Sequence, residues 1–389
     1  MKKIFAAIDT KKDFARSDEF LVDTGGKYDE KKRIFYYDLL KSIAIYLVCF
    51  YHFGALNIDF TKSAYPSLYF NYFLSGIASI GVPIFFMVNG ALLLNKDYNI
   101  KNHIRKIVVV GTLYLVWGAI TLAILTPVFG DHYSPLRFIK AIYNTKDGRT
   151  NHLWFLLAIM YIYMLFPLIK SMYDKNEKIY TYYLLALIFL FTFGITALNA
   201  LLNSTGYLLN RSALINKDIS PFILFNPFGI YFSYSLVYFI VGGWIAKFYK
   251  NEYLKATTCI FFFVISLFLL FLFGVMKTNV TGKVYDSVFY GYDSIMTLVM
   301  SITVFIICYK LEFKNSLFKN FITLISTNTL GIYFVHIPVG YLLENFLSKS
   351  ILNNYLLFDL CYAFFLLFLS LTITLLLKKI PVVGKLVKI

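Results

Sequence analysis

The sequence predicts an all-α polytopic membrane protein with about ten transmembrane helices and both termini in the cytoplasm. Hydrophobic residues make up 59% of the 389 positions, only 15% are charged, and the mean hydropathy is +0.67. A soluble chain of this length needs more polar residues to cover its surface. Four stretches also lack Asp, Glu, Lys and Arg over a span-like length: residues 107–130, 150–169, 179–210 and 256–276.

The helices follow from the lengths of the apolar segments. A hydrocarbon core of about 30 Å takes roughly 20 helical residues, whereas the strands of a membrane barrel are shorter and alternate in polarity. Charged or Asn- and Pro-rich breaks divide the chain into ten apolar segments. The predicted spans are 34–56, 68–94, 104–127, 152–171, 180–202, 226–248, 255–276, 287–309, 320–345 and 352–377.

The distribution of basic residues predicts the orientation. Of the 37 Lys and Arg residues, 26 lie in the two terminal segments and in the connections on the same side of the membrane. Such an excess is typical of cytoplasmic loops. We therefore expect a flexible cytoplasmic tail at 1–32, a transmembrane domain at 33–378 and a cytoplasmic tail at 379–389.

The same bias accounts for the net charge of +16. Basic residues beside a membrane contact anionic lipid headgroups, so we expect membrane lipids as partners and no nucleic acid. The four cysteines lie inside apolar runs, where they are expected to pack as small hydrophobic residues, and no metal-ligand spacing is visible.

The first span carries three ionisable residues, in the stretch "DLLKSIAIYLVCFYH". Lys41 and His52 are eleven residues apart, close to three helical turns, so they share one face, with Asp38 near Lys41. Lys41 is expected about 12 Å into the membrane and His52 about 28 Å. A snorkelling lysine and a packed interfacial histidine are the alternative interpretation. The shared face and the acidic partner favour a functional site.

Two further histidines are predicted at the depth of His52. His152 opens the fourth span in "NHLWFL", and His336 lies in the ninth span in "TLGIYFVHIP". One interpretation is a histidine cluster in the outer leaflet. The other is an aromatic belt in which these histidines accompany Trp154 and Tyr333 at the interface.

Polar residues elsewhere also have two interpretations. In the second span, Pro83 predicts a kink, Gly90 permits close approach of a neighbour, and Asn89 needs a hydrogen-bond partner; helix packing alone would explain all three. Arg105, before the third span, either binds phosphate or simply belongs to the cytoplasmic excess of positive charge.

These motifs together resemble the acyltransferase-3 family, bacterial integral-membrane O-acyltransferases of surface polysaccharides, over about residues 33–377. The family's first-span pattern matches Asp38, Lys41 and His52, with Lys where Arg is more common. Its second-span signature matches Pro83 to Gly90, with Asn89 in place of Ser. "HLWFL" from His152 and "GIYFVH" ending at His336 match two later signatures.

The resemblance implies a multi-pass protein of the bacterial cytoplasmic membrane. The implied donor is acetyl-CoA or another acyl-CoA, bound from the cytoplasm without a metal. The implied acceptor is a hydroxyl of a surface polysaccharide or of a lipid-linked sugar.

On that basis His52 is expected to act as the general base, with either direct transfer or an acyl-histidine intermediate. Asp38 and Lys41 are expected to shape the donor channel, and Arg105 to bind donor phosphate. Asn89, His152, Trp154 and His336 are candidates for binding the acceptor or the oxyanion. The alternative is a transporter or flippase for a lipid-linked glycan or an acyl group. A proton-coupled carrier is expected to place carboxylates near the midplane, and no repeat is evident, so this is the less favoured hypothesis.

Overall fold

The computed structural model describes residues 33–61, 65–143, 148–174, 178–211, 232–250, 253–346 and 356–387, so the predicted tail at 1–32 lies outside the described residues. Across these ranges the regular structure is helical and contains no strand, which confirms the all-α prediction. The helices are α1 (Phe35–Phe53), α2 (Pro66–Ser75), α3 (Gly81–Leu94), α4 (Ile100–Phe129), α5 (Pro135–Tyr143), α6 (Trp154–Asp174), α7 (Lys178–Phe189), α8 (Ile195–Leu208), α9 (Tyr234–Phe248), α10 (Ala256–Thr281), α11 (Ile295–Lys310), α12 (Ser316–Ser326), α13 (Thr329–Phe346) and α14 (Leu356–Lys379).

Several helices have the length and composition of membrane spans. Within the described ranges six qualify, and α12 with α13, bent by 67° at a short break, would make a seventh. These six are Pro66–Leu94, Ile100–Phe129, Asn151–Asp174, Ile179–Leu208, Ala256–Thr281 and Leu356–Lys379. α9 and α11 are apolar but shorter, and α1 carries two charges in 19 residues. The chain is therefore a multi-pass membrane protein, and the count of ten and the side of the termini stay predictions.

The outer surface of the bundle is apolar. α10, for example, exposes a row of large side chains that includes Ile260, Phe261, Val264 and Phe268. Exposing such apolar surface to water costs about 25 cal/mol of free energy per square ångström, whereas exposing it to lipid carries no such cost. This surface is therefore suited to contact with acyl chains.

α1 lies at the centre of the bundle. It packs against α3, α11, α12, α13 and α14, and two of its side chains are hydrogen-bonded to other helices. Ser42 Oγ donates to the carbonyl of Ile322 at 3.1 Å, and the Tyr46 hydroxyl donates to the carbonyl of Leu360 at 3.1 Å. The ionisable residues of α1 are consequently surrounded by protein rather than lipid, which lowers the cost of burying them.

The second span is broken where Pro83 predicts a kink. A 3₁₀ stretch, Gly76–Ile80, separates α2 from α3, and Pro83 is the third residue of α3. Proline tolerates this position because its missing N–H would be unpaired in the first turn of a helix anyway.

Glycines bring α3 and α9 into backbone contact. A Cβ atom added to Gly90 would lie 1.7 Å from the Phe239 carbonyl oxygen, and one added to Gly242 would lie 2.1 Å from the Met87 carbonyl oxygen. Both are far inside van der Waals contact, and the obstructing atoms belong to the backbone, which cannot rotate away. The close approach expected at Gly90 is therefore present, with α9 as the neighbour.

We expect Gly242→Ala to separate α3 from α9 and to reduce the free energy of unfolding by about 3 kcal/mol, the upper part of the range for overpacked cores. The measurement is the apparent melting temperature of the purified protein in detergent. Gly111→Ala is the matched control, because its Cβ would lie 3.4 Å from the flexible end of Met160. Equal melting temperatures for the two variants would contradict this account of the crossing.

Candidate functional site

The polar face of α1 begins with an ion-pair network around Asp38. The Arg33 guanidinium donates to the Asp38 carboxylate through Nε at 2.5 Å and Nη2 at 2.9 Å. Lys41 Nζ lies 3.7 Å from Asp38 Oδ1, and Ser326 Oγ donates to the same oxygen at 2.6 Å. Asp38 and Lys41 are both buried, so their opposite charges and this hydrogen bond offset much of the cost of removing them from water.

Sequence reasoning predicted the Asp38–Lys41 pair but missed its other members. Arg33 lies five residues before Asp38, and this proximity in sequence could have suggested the contact. Ser326 is the last residue of α12 and lies 288 positions from Asp38. Only the bend between α12 and α13 brings that residue to α1, and no local sequence signal indicates it.

Three histidines lie together at the other end of this face, where His52 is located. The ring centroids of His52 and His336 are 5.4 Å apart, and those of His152 and His336 are 5.9 Å apart. His152 and His336 are buried, whereas His52 is partly exposed. His52 is thus the member of the cluster that a molecule from outside can reach. Tyr333 also lies against His152 and His336, so aromatic neighbours are present as well.

The hydrogen bonds of His336 determine its tautomer. Its Nδ1 lies 2.6 Å from the carbonyl oxygen of Tyr333. A carbonyl only accepts, so Nδ1 carries the proton of the neutral ring and Nε2 presents a lone pair. That Nε2 is buried without a hydrogen-bond partner.

The residues just before α6 are hydrogen-bonded to α13 at the histidine cluster. The Tyr333 hydroxyl donates to the backbone carbonyl of His152, and this hydrogen bond fixes the backbone position from which the His152 side chain extends. Neither ring nitrogen of His152 has a hydrogen-bond partner. An unpaired buried polar atom costs about 1–3 kcal/mol, so several of them in one cluster indicate a place where an added polar molecule would be stabilised.

The cluster does not have the geometry of a metal centre. Among the described residues, no group of three or more His, Cys, Asp and Glu side chains is arranged to hold a metal ion. What the arrangement can do is exchange a proton with a bound hydroxyl group, because an imidazole nitrogen can accept a proton and give it up again.

Residues 34–378 match the family model described as an acyltransferase domain, Acyl_transf_3. The chain belongs to the acyltransferase-3 family. No curated protein and no solved structure matches the chain. Together with its apolar helices, this membership makes the protein a membrane acyltransferase.

Two residues assigned to this acyltransferase-3 site from sequence lie away from the histidines. Asn89 is buried on α3, where its carboxamide lies beside the Tyr163 hydroxyl. Tyr163 is eleven residues beyond His152, about 16 Å along α6. Asn89 therefore lies deep in the bundle, away from the histidines.

Trp154 turns away from the histidine rings. Its ring stacks on Phe232 at 5.4 Å between centroids and lies 5.6 Å from Tyr292 and 6.3 Å from Phe289. It therefore packs against the segment that connects α10 to α11. Arg105 is exposed in the second turn of α4, on the predicted cytoplasmic side.

Proposed function

We propose that this protein is an integral-membrane O-acyltransferase. It moves an acyl group, which we infer to be acetyl, from cytoplasmic acyl-CoA to a hydroxyl of a cell-surface glycan in the bacterial cytoplasmic membrane. The observation that carries this proposal is the partly exposed His52 beside two buried histidines. His52 lies on the same face of α1 as the Asp38 network. Family membership supports the acyl-transfer class of reaction.

The reaction proceeds with His52 as general base. The acceptor hydroxyl oxygen attacks the thioester carbonyl carbon while His52 takes the hydroxyl proton. The carbon–sulfur bond of the tetrahedral intermediate then breaks, and the proton on His52 passes to the leaving thiolate to give free CoA. His336 Nε2, held as an acceptor by the bond from Nδ1–H to Tyr333, stabilises the imidazolium through a charge-assisted hydrogen bond.

The donor approaches along the face of α1. Lys41 and the exposed Arg105 supply positive charge for the phosphates of CoA, and Asp38 holds Lys41 in place. Lys41 and His52 are eleven residues apart, about 16 Å, a distance that a slender pantetheine arm can cover. Asn89, a buried amide beside Tyr163, is suited to pair with an amide of that arm rather than with the acceptor.

The acceptor approaches from the other end. His152, with two unpaired ring nitrogens beside His336, is placed to hold the acceptor or the oxyanion. Trp154 contributes to the acceptor side through the segment between α10 and α11 that it packs against.

Mass spectrometry of surface glycans, from cells with and without the gene, tests the proposal directly. We expect one glycan to lose an acyl substituent when the gene is deleted, and to regain it when the wild-type gene is restored. If every glycan keeps its acylation, the alternative of a transporter or flippase for a lipid-linked glycan or acyl group takes precedence.

We expect His336→Asn to lower kcat about 10- to 100-fold, because a hydrogen bond to a charged partner contributes roughly 1.5–3 kcal/mol. Asn keeps a donor near the position of Nδ1 but has no acceptor near Nε2. His336→Gln, which extends an amide towards the Nε2 position, should recover part of the rate and show a different pH–rate profile from wild type. If Asn, Gln and wild type have the same pH–rate profile, His336 does not act through the proton on His52.

A further inference from the structure

A cavity lies beside Tyr51, the residue before His52, on the predicted outer side. It has a volume of about 90 Å³ and lies between the end of α1, α2 and the segment that follows α10. Tyr51, the neighbour of His52 in sequence, lines it, and the rings of these two residues are 4.9 Å apart. A molecule in this cavity is therefore one side chain away from the proposed base.

The walls of the cavity are held in place by hydrogen bonds. Asp286 Oδ2 accepts from the Tyr51 hydroxyl at 2.7 Å, and Oδ1 accepts from the backbone N–H groups of Val288 and Phe289 at 3.1 and 3.0 Å. The Tyr72 hydroxyl donates to the carbonyl of Tyr285 at 2.7 Å. The segment is thus fixed to both α1 and α2, and the cavity is a built feature rather than a gap under a loose loop.

The lining indicates the chemistry of the ligand. Aromatic and aliphatic surfaces from Tyr51, Tyr72, Ile58 and Val284 alternate with hydroxyl and carboxylate groups, and none of the lining residues is basic. Such a surface suits a neutral ligand with both C–H faces and hydroxyl groups, and the carboxylate of Asp286 disfavours an anion.

The volume limits how much of the ligand enters. At about 90 Å³ it is several times the roughly 10–15 Å³ of cavity volume that one water molecule requires. One edge of a sugar ring, with two hydroxyls and the carbons that carry them, fits this space, whereas a whole glycan chain or a lipid tail does not.

We propose that this cavity, lined by Tyr51, Tyr72, Ser75 and the segment 284–288, binds one edge of the acceptor sugar and so selects which hydroxyl reaches His52. The inference rests on the proposed acyltransferase function. It assigns acceptor choice to the connection between α10 and α11, because residues 284–288 of that connection line the cavity.

The test uses the full-length protein in lipid nanodiscs, with Cys361→Ser to remove the exposed cysteine. Val284→Cys places a thiol in the cavity wall, and Lys283→Cys places one at the next, exposed position outside it. Each protein is treated with a positively charged methanethiosulfonate reagent. Transfer of radioactive acetyl from acetyl-CoA to de-O-acylated surface glycan of the producing cells is then measured.

We expect modification of Cys at 284 to lower glycan acetylation at least tenfold, and modification at 283 to change it less than twofold. The stabilisation of the protein by acetyl-CoA should be the same before and after modification, because the donor binds elsewhere. De-O-acylated glycan should also slow modification at 284 at least threefold and leave modification at 283 unchanged.

The outcomes are distinct. Undiminished transfer after complete modification at 284, with glycan giving no protection, would overturn the cavity assignment while leaving the acyltransferase proposal intact. No transfer by the unmodified protein, together with no stabilisation by acetyl-CoA, would overturn both. Leu56→Cys, on the opposite and more exposed wall, serves as the second variant if the 284 protein does not fold.

Discussion

Replacing His52 with alanine is expected to reduce acyl transfer about 10²- to 10⁴-fold, the contribution typical of a positioned general base. Without His52 the hydroxyl must lose its proton to water, and His336 and His152 lie buried behind the vacant position. The measurement is acetylation of the surface glycan by membranes that contain equal amounts of each variant.

Two controls accompany this variant. His132→Ala removes an exposed histidine from a connection and should leave the rate unchanged. The melting temperature of His52→Ala in detergent should stay close to that of wild type, because His52 is partly exposed and no ion pair depends on it. Full activity in His52→Ala would show that another group serves as the base.

Removing the carboxylate of Asp38 is expected to have the largest effect on stability. In Asp38→Asn the buried ammonium of Lys41 loses the carboxylate at 3.7 Å, and removing one partner of a buried ion pair costs about 3–5 kcal/mol. Arg33 is more exposed and can turn to water, so Lys41 carries most of this cost. The apparent melting temperature in detergent should fall accordingly, and glycan acetylation should be lost with it.

A double variant separates folding from function at this position. Asp38→Asn with Lys41→Met removes both charges and keeps the side-chain lengths, so stability should return to within about 1 kcal/mol of wild type. Acetylation should stay lost, because the proposed contact of Lys41 with the donor is absent. If activity returns together with stability, Lys41 has a structural role alone.

The surface pair of Asp131 and Arg149 provides the control for these measurements. The two side chains form an ion pair at 3.0 Å, but 30% and 27% of their side-chain surface is exposed. Exposed pairs contribute about 0–1 kcal/mol. Asp131→Asn should therefore shift the melting temperature far less than Asp38→Asn does.

Composition and periodicity alone determined the class of this protein and part of its site. Lipid as solvent requires long apolar helices, so the all-α multi-pass class follows from hydropathy. Helical geometry is equally local: Asp38 and Lys41 are three positions apart, and this spacing was enough to predict their pairing, which the structure shows at 3.7 Å. The motifs around His52, His152 and His336 pointed to the family that the chain belongs to.

Tertiary structure decided which polar residues lie together. Ser326 reaches Asp38 only because the chain bends between α12 and α13, and Asn89 lies beside Tyr163 rather than beside the histidines because α3 packs where its glycines permit. The cavity next to His52 is formed by Tyr51 and a segment more than 200 positions away. Spacing within one helix is dictated by the backbone and is readable locally, whereas contacts between helices depend on how the whole bundle packs.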